Sequence, residues 1–357
     1  MIMRKQFLNA FAAVLTVSMI LGLAACGGGG KPSSDPGTAS QNPADGGNDV
    51  YEIRLASTQA DGNDLDLTLD LFAELAAEKS DGRVKVTVYP GNILGDELTT
   101  TEMCQHGQLE MTMTSTGVLE NFCPEFAITT LPGLFKDYDH LVTATRSDWG
   151  KSLGEATEKQ DMVLLGYTCN GFMNIGSVKT PVASIADLSG LNIRCIESKS
   201  TIAILSEWGC NPVPMAFSEV PTSLQLGAID GCFLNPLVFL STGIADIMDY
   251  YTADWSVGIG LCPVLINATY FNSLPSDIQT IIREAFTEAE DDGFRRTEEN
   301  QTANLKALEE KGVELVHSSA EELAEVDRIN QEIVWPKLVE MGIANQDAID
   351  QILAAAE

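Results

Sequence analysis

Three side chains in the middle of the chain have types and spacing suited to holding an anion. Arg194 lies on a short apolar run, Phe217 lies at a turn, and Asn235 follows a second apolar run. An arginine binds a carboxylate through two parallel hydrogen bonds and keeps its charge, and an amide both donates and accepts. The stretch Leu188–Pro236 that carries them shows strand–helix–strand patterning and no nucleophile beside a base. It predicts a site that binds a small anion rather than one that transforms it.

The other reactive residue types form no recognisable catalytic or metal-binding motif. The three histidines, His106, His140 and His317, are far apart and lack partners at helical spacing. GxSxG, P-loop and GxGxxG motifs are absent from a strand–helix context, and so is the EF-hand ligand pattern. Carboxylates are so numerous that spacing singles out no acid/base pair and excludes none. We expect neither a cofactor nor a metal.

The elements that precede this stretch read as a β-α-β-α-β series. Apolar alternation predicts strands at 51–57, 83–89 and 109–114. Helical spacing predicts one helix capped by Asn63 or Asp64 and another over 96–106. Such a series favours a mostly parallel sheet covered by helices. Ligands bind beyond the carboxyl ends of such strands. The candidate walls of a site are therefore the loops Ser57–Gln59, Gly95–Glu97 and Ser115–Thr116.

A second β-α-β set surrounds Arg194 itself. A strand over 161–169 ends at a predicted Asn170-Gly171 turn, a strand over 191–196 carries Arg194, and Ser218 is the predicted cap of a later helix. Two such sets predict two lobes with a cleft between them. Further predicted elements are a helix at 201–208, strands at 229–233, 261–269 and 315–316, a long helix over 277–308, and helices at 320–341 and 346–355.

Composition limits the class of ligand. The chain has 357 residues, which is longer than a domain with a single hydrophobic core usually is. It is 45% hydrophobic and 20% charged, a composition typical of globular proteins. Its net charge of −30 argues against nucleic acid. Since such a surface attracts no anions over long range, an anionic ligand requires a local cation in a shielded cleft.

The N-terminus is typical of an exported protein. Arg4 and Lys5 precede the apolar segment Phe7–Ala24, and the ending Leu23-Ala24-Ala25-Cys26 resembles a lipobox, whose cleavage leaves Cys26 as a lipidated N-terminus. The alternative is an uncleaved membrane anchor. We predict a signal peptide over 1–25 and a flexible Gly/Ser/Pro-rich tether over 26–49. The folded part then lies outside the cytoplasmic membrane.

Seven cysteines remain after Cys26, an odd number without a CxxC pair: Cys104, Cys123, Cys169, Cys195, Cys210, Cys232 and Cys262. We interpret them as buried thiols that act as small apolar side chains. An export compartment also permits a disulfide, whose partners the spacing does not identify.

Several segments, in this order and spacing, resemble the substrate-binding proteins of tripartite ATP-independent periplasmic (TRAP) transporters, the DctP-like family. The resemblance covers about Tyr51–Ile352. It is carried by GRVKVTVYPGNILGDE (82–97), LPGLFKDYDH (131–140), IADLSGLNIR (185–194), PMAFSEV (214–220), LQLGAIDGCFLNP (224–236) and LPSDIQTIIREAF (274–286).

The resemblance implies an α/β, two-lobed periplasmic-binding-protein-like fold with hinge strands and a long helix spanning both lobes. Lobe I would comprise 50–170 with 261–299, and lobe II 171–260 with 300–357. The ligand would sit between the lobes, which close around it.

The resemblance also implies roles for the residues singled out above. The arginine at the Arg194 position binds the ligand carboxylate, an asparagine stands at Asn235, and an aromatic at Phe217 covers the ligand. The alternative for Arg194 is an ion pair with a surface carboxylate such as Asp187.

Three departures from the family pattern bear on the ligand. Met173 stands where many members have a second arginine after Asn170-Gly171-Phe172, Ser115–Val118 replaces a glutamate and an arginine, and Glu197 replaces a frequent asparagine. A pocket with one fixed cation favours a monocarboxylate with an apolar or neutral polar body over a dicarboxylate. The expected lining residues are Met173, Phe172, Phe217 and Trp255.

The predicted function is that of a lipid-anchored solute receptor, not an enzyme, with the small and large TRAP membrane subunits as partners. A ligand sensor that presents its closed form to a signalling protein is the main alternative. A secreted lyase or hydrolase lacks a recognisable nucleophile or metal set. An ABC-type receptor fits the ordered motifs less well.

Overall fold

The computed structural model describes residues 49–356. The predicted signal peptide, Cys26 and the predicted tether up to residue 48 lie outside the described residues. Over residues 49–356, no helix combines the length and the apolar character needed to cross a bilayer.

The strands of the described residues form one mixed sheet. They are β1 (Tyr51–Ala56), β2 (Val84–Tyr89), β3 (Met111–Met113), β4 (Met162–Ser177), β5 (Asn192–Cys195), β6 (Asn211–Pro214), β7 (Gly231–Leu234), β8 (Tyr250–Thr252), β9 (Gly258–Asn267) and β10 (Glu314–Val316). Their order is β2-β1-β3-β9-β4-β7-β5-β6, with β8 paired to β4 and β10 to β8. We call β1–β3 the first half-sheet and β5–β7 the second half-sheet.

The prediction of a mostly parallel sheet holds within each half-sheet and is wrong at the centre. β1 runs parallel to β2 and β3, and β5 runs parallel to β6 and β7. β4 and β9 are antiparallel to each other and to the half-sheets that they join. These two strands therefore occupy the position of hinge strands.

Helices cover the sheet. They are α1 (Asp64–Lys79), α2 (Glu97–Gln105), α3 (Thr116–Leu119), α4 (Tyr138–Arg146), α5 (Asp148–Glu158), α6 (Lys199–Glu207), α7 (Val220–Gln225), α8 (Pro236–Ser241), α9 (Ala268–Ser273), α10 (Ser276–Glu310), α11 (Ala320–Ile329), α12 (Trp335–Glu340) and α13 (Gln346–Ala354). Short 3₁₀ segments lie at Pro124–Thr130, Ile185–Leu188, Phe217–Glu219 and Ile244–Asp246, and a π turn at Asn330–Val334 joins α11 to α12. Asn63 caps α1, since its side chain accepts the N–H groups of Leu65 and Asp66.

The predicted turn at Asn170-Gly171 is wrong, because β4 continues through it for 16 residues in all. The pairing register of β4 against β9 shifts between Cys169 and Phe172, so Asn170 and Gly171, which lie between them, form a bulge. Gly171 has a positive φ of 97°, and a positive φ is also what the glycine of an Asn-Gly turn adopts. β4 thereby runs unbroken from the first half of the molecule into the second.

The predicted capping role of Ser218 is also wrong. Ser218 lies inside the 3₁₀ segment Phe217–Glu219, which leads directly into α7. The 3₁₀ turn already provides the entry into the helix, with Pro221 in its first turn.

The long helix α10 spans both halves, as expected. It packs on α1 and β4 and, further along, on α8 and β10. Near its start, Phe286 meets Phe72 edge-to-face with ring centroids 5.3 Å apart, and near its end Leu308 joins the apolar cluster around Tyr251. The described residues fall in one compact unit, so the predicted residue boundaries of the two lobes stay a prediction.

Candidate functional site

A cavity lies where the strands of both half-sheets end. The three loops expected as walls all contribute to it, through Thr58 and Gln59, Asp96 and Glu97, and Ser115–Val118. The second half-sheet and the hinge strands supply the opposite side, through Arg194, Ile196, Glu197, Met215–Phe217, Phe233, Asn170, Met173 and Ile259–Cys262. This is the position at which parallel α/β sheets bind ligands.

Arg194 is the cation of this cavity. It is only 2% exposed, and its Nη2 donates to the carbonyl oxygen of Met215 at 2.9 Å, while its Nε is buried without a partner. Burial lowers the pKa of the guanidinium, and the negative charges of Glu97 and Glu197 act in the opposite direction. An arginine guanidinium is effectively always protonated in proteins, so the group stays charged. A buried cation with an unused donor is suited to capturing an anion.

The alternative ion pair of Arg194 with Asp187 is not formed. The Asp187 carboxylate instead accepts from the backbone N–H groups of Ala183 and Ser184 and from the Ser184 hydroxyl. It closes a capping box on the 3₁₀ segment at 185–188.

Phe217 lies beside Arg194 at the cavity. The guanidinium carbon is 5.9 Å from the centroid of the ring, at the outer limit of a cation–π contact. The half-buried ring covers the cation and lowers its access to water, which strengthens any ion pair made there.

Asn235 follows β7 and caps α8. Its Oδ1 accepts the N–H of Val238 at 2.9 Å, and its Nδ2, fully buried, has no partner. Asn235 itself is not among the residues that line the cavity, whereas its neighbours Leu234 and Val238 are. The cap fixes the side chain and leaves one unused donor.

Asn170 and Met173 reach the cavity from the β4 bulge. The Oδ1 of Asn170 is buried without a partner, and it occupies the space where a Cβ on Gly260 would stand, only 1.4 Å away. Glycine at this point of β9 therefore makes room for the amide. Met173 contributes apolar lining.

Ser115 is engaged by a carboxylate that the sequence indicated only as part of a loop. Glu97 accepts the Ser115 hydroxyl at 2.5 Å, the Ser115 N–H at 3.2 Å and the Thr58 hydroxyl at 3.1 Å. These bonds hold the Glu97 carboxylate at the cavity wall, and its negative charge acts to raise the pKa of the Arg194 guanidinium. The partners are 18 and 39 residues away in sequence, so no local motif could reveal the arrangement.

Glu197 lies at the rim. Glu197 is exposed to solvent and also lines the cavity. Its backbone carbonyl oxygen accepts a hydrogen bond from Nδ2 of Asn121 at 2.9 Å.

Trp255 and Phe172 do not line the cavity. Trp255 is 4% exposed, donates its Nε1 to the Ser318 hydroxyl at 2.8 Å and packs edge-to-face on Trp208. Phe172 packs edge-to-face on Tyr138 at a centroid distance of 5.2 Å. Both rings serve the core. Phe172 is the neighbour of Met173 in β4, and alternation along a strand directs the two side chains to opposite faces.

The seven cysteines after Cys26 are buried and unpaired, as the interpretation of small apolar side chains predicted. Burial raises the pKa of the Cys262 thiol, which lines the cavity, so this thiol stays protonated. Among the described residues, no group of three or more His, Cys, Asp or Glu side chains is placed to hold a metal ion.

Comparison with known proteins identifies the family. The family model described as bacterial extracellular solute-binding protein, family 7 (DctP), matches residues 55–339. The chain is 33% identical to the C4-dicarboxylate-binding periplasmic protein DctP of Rhodobacter capsulatus over 260 residues, 71% of this chain and 76% of that protein. It is 30% identical to a solute-binding protein of Verminephrobacter eiseniae over 269 residues, 74% of this chain and 78% of that protein.

Solved structures share the fold. The sugar acid binding protein DctPAm of Advenella mimigardefordensis, in complex with galactonate, has a TM-score of 0.80 and 23% identity over 86% of this chain and 98% of its own. A TRAP periplasmic solute binding protein of Shewanella oneidensis, with bound succinate, has a TM-score of 0.80 and 24% identity over 86% of this chain and 100% of its own. The two-lobed α/β fold is thereby established, and the predicted resemblance is confirmed. The chain belongs to the DctP family of extracellular solute-binding proteins, family 7, the substrate-binding components of TRAP transporters.

Proposed function

We propose that the protein binds a small organic acid in the cavity between its half-sheets and delivers it to the small and large membrane subunits of a TRAP transporter. The observation that carries the proposal is Arg194, a buried cation at the cavity whose Nε has no protein partner. A carboxylate of the ligand supplies that partner and neutralises the charge. The protein acts as a receptor that releases its ligand unchanged, not as an enzyme.

Asn235 assists at the anionic end. Its Nδ2 is a second buried donor without a partner, and it lies next to the cavity-lining residues Leu234 and Val238. An amide that donates to a carboxylate oxygen adds a charge-assisted hydrogen bond and selects for the acid over its amide or ester. Phe217 covers this end and excludes water.

The rest of the cavity lining favours a donor over a second carboxylate. Glu97 holds a carboxylate at the wall, Glu197 adds another at the rim, and Asn170 presents an unpartnered oxygen. A second carboxylate of the ligand would be repelled there, whereas a hydroxyl group would donate. Met173, in the place of a second arginine, is apolar.

We therefore propose a monocarboxylate as the ligand, with an apolar body or with hydroxyl groups. Relatives bind acids of more than one type, as shown by the complexes with galactonate and succinate. The acidic and apolar lining of this chain is our reason for favouring a monocarboxylate over a dicarboxylate such as succinate. The distinction rests on Glu97 and Met173.

Attachment to the membrane is proposed through Cys26. The sequence around it matches the lipobox pattern, and the tether over 26–49 would let the folded part reach a permease while remaining anchored. The protein would then work outside the cytoplasmic membrane. Radiolabelled palmitate incorporated into the wild-type chain and absent from Cys26→Ser tests the anchor.

The proposed binding is tested by a thermal-unfolding screen of the purified protein against hydroxy monocarboxylates, dicarboxylates, neutral sugars and amines. A ligand present at a thousandfold excess over its Kd raises the stability by about 4 kcal/mol. We expect the largest shifts with monocarboxylates, and recovery of the ligand unchanged. Shifts confined to neutral sugars or amines would contradict the proposal.

A further inference from the structure

Glu120 is a buried carboxylate outside the ligand cavity. It follows α3 and is only 7% exposed. Its Oε1 accepts the N–H of Ser200 at 3.0 Å, and its Oε2 accepts the Ser200 hydroxyl at 2.5 Å. Two charge-assisted hydrogen bonds to one residue are an unusually complete anchor for a buried acid.

This contact joins the two halves of the molecule. Glu120 follows β3 in the first half-sheet, whereas Ser200 follows β5 in the second, 80 residues later. Ser200 lies in the first turn of α6, where backbone N–H groups have no partner within the helix. The Glu120 carboxylate, from the other half of the molecule, accepts one of these N–H groups, and its negative charge lies at the positive end of the helix dipole.

The residues next to Glu120 also contact the second half of the molecule. Nδ2 of Asn121 donates to the carbonyl oxygen of Glu197 at 2.9 Å. A Cβ on Gly117 would lie 2.0 Å from Cδ1 of Ile196, so the helix backbone there approaches the second half as closely as a glycine allows. Chain on either side of Glu120 therefore touches the segment that leads into α6.

Hydroxyl groups connect this contact to the ligand cavity. The Ser198 hydroxyl lies 2.9 Å from the hydroxyl groups of both Ser200 and Thr201, and the Thr130 hydroxyl lies 2.8 Å from that of Ser200. Thr130 and Thr201 both line the cavity. A substitution of Glu120 can therefore alter the hydrogen bonds of the Thr130 and Thr201 hydroxyl groups in the cavity, although Glu120 itself does not contact a ligand.

We propose that Glu120 is a positioning residue that clasps the two lobes together through Ser200 and slows release of the ligand. The proposal rests on the proposed function, since ligand release requires the lobes to part. Both hydrogen bonds are lost when the lobes separate, so they stabilise the closed arrangement alone and shift the equilibrium toward it. The clasp acts whichever acid is bound.

The clasp can be measured without knowing the ligand. The native cysteines of the described residues are buried, so exposed thiols introduced at Ile93 (70% exposed, before α2) and Leu226 (78% exposed, after α7) take fluorescent labels selectively. The full chain carries Cys26→Ser so that residue 26 takes no label. Single-molecule energy transfer between the two labels then reports the dwell time of the closed arrangement.

We expect Glu120→Ala to shorten that dwell time about tenfold, as loss of hydrogen bonds to a charged group predicts. Glu120→Gln keeps an acceptor for the Ser200 N–H and should give an intermediate value, while the exposed Glu125→Ala should match the wild-type chain. Should Glu120→Ala fail to fold, the Glu120→Gln and Ser200→Ala variants carry the test. Dwell times equal to that of Glu125→Ala would overturn the clasp.

Ligand release provides the second readout. Stopped-flow dissociation is measured for whichever of galactonate, glucuronate, succinate and lactate binds the wild-type chain, and the Glu120→Ala rate should rise about tenfold with the association rate little changed. If none of the four acids binds, the acid that gives the largest shift in the thermal-unfolding screen takes their place, and the dwell times decide the role of Glu120 independently of any ligand. A dissociation rate of Glu120→Ala equal to that of the wild-type chain would contradict it.

Discussion

Arg194 donates Nη2 to the carbonyl oxygen of Met215 at 2.9 Å and keeps Nε unpartnered. The bond orients the guanidinium plane and leaves one edge for a ligand. Because the residue is 2% exposed, the ion pair it makes is shielded from water.

Replacing Arg194 by alanine should abolish most of the affinity. Loss of one partner of a desolvated ion pair costs roughly 3–5 kcal/mol, equivalent to a Kd increase of at least a hundredfold. Isothermal titration calorimetry with the bound acid measures the change. The exposed Arg295→Ala is the matched control and should bind normally. Near-native affinity of Arg194→Ala would refute the assigned role.

Asn235→Ser separates the two roles of the amide. Serine still caps α8 by accepting the Val238 N–H, whereas the Nδ2 donor is lost. We expect about tenfold weaker binding of the acid with a small change in unfolding temperature. Asn345→Ser changes another asparagine cap, at α13, and should leave binding unchanged. Equal affinities for both variants would argue against Asn235 as a ligand donor.

Gly260→Ala should disturb the cavity through Asn170. The new methyl group would overlap Oδ1 of Asn170, so the amide must turn away and both stability and affinity should fall. Removing the obstacle in the double variant Gly260→Ala/Asn170→Ala should restore much of the unfolding temperature. Gly154→Ala in α5 has open space and should stabilise by roughly 0.5–1 kcal/mol. No difference between the two alanine variants in calorimetric unfolding would contradict the packing described.

Glu290 should make stability depend on pH. Burial raises the pKa of its carboxyl from 4.5 to about 7, although it accepts the Tyr167 N–H at 2.7 Å and lies near Arg146. Since the folded state binds the proton more tightly than the unfolded state, this contribution is complete below pH 4.5 and is lost as the pH rises through about 7.

Glu290→Gln keeps the side chain neutral and should remove this dependence. The stability of the variant relative to the wild-type chain should therefore grow by on the order of 3 kcal/mol from about pH 4 to pH 8. Urea unfolding over this pH range measures it, with the exposed Glu284→Gln as control. A constant difference between Glu290→Gln and the wild-type chain would show that the buried carboxyl does not titrate there.

Arg194 and Asn235 were singled out from sequence by their residue types and by the family resemblance, and the structure places Arg194 at the cavity. The loops after β1, β2 and β3, which carry Thr58, Glu97 and Ser115, were indicated because the ends of parallel strands converge on one edge of an α/β sheet. The sequence predicted that Glu97 lies in a wall of the site, but not that it accepts hydrogen bonds from Thr58 and Ser115, because these three residues belong to separate β-α units.

The errors have local causes. Asn170-Gly171 signals a positive φ, and this requirement is met as well by a bulge in β4 as by a turn. Trp255 could serve a ligand or a core, and its burial against Trp208 depends on packing that no local pattern records. The role of Ser200 in joining the lobes likewise arises only in three dimensions.

The central claim is that a buried arginine selects a carboxylate. Calorimetric titration of the protein with a monocarboxylate from the screen and with its primary amide, identical in shape apart from the charge, tests this most directly. We predict that the acid binds at least a hundredfold more tightly than the amide to the wild-type chain, and that Arg194→Ala largely removes the difference. Equal affinity of the wild-type chain for the acid and its amide would contradict the account.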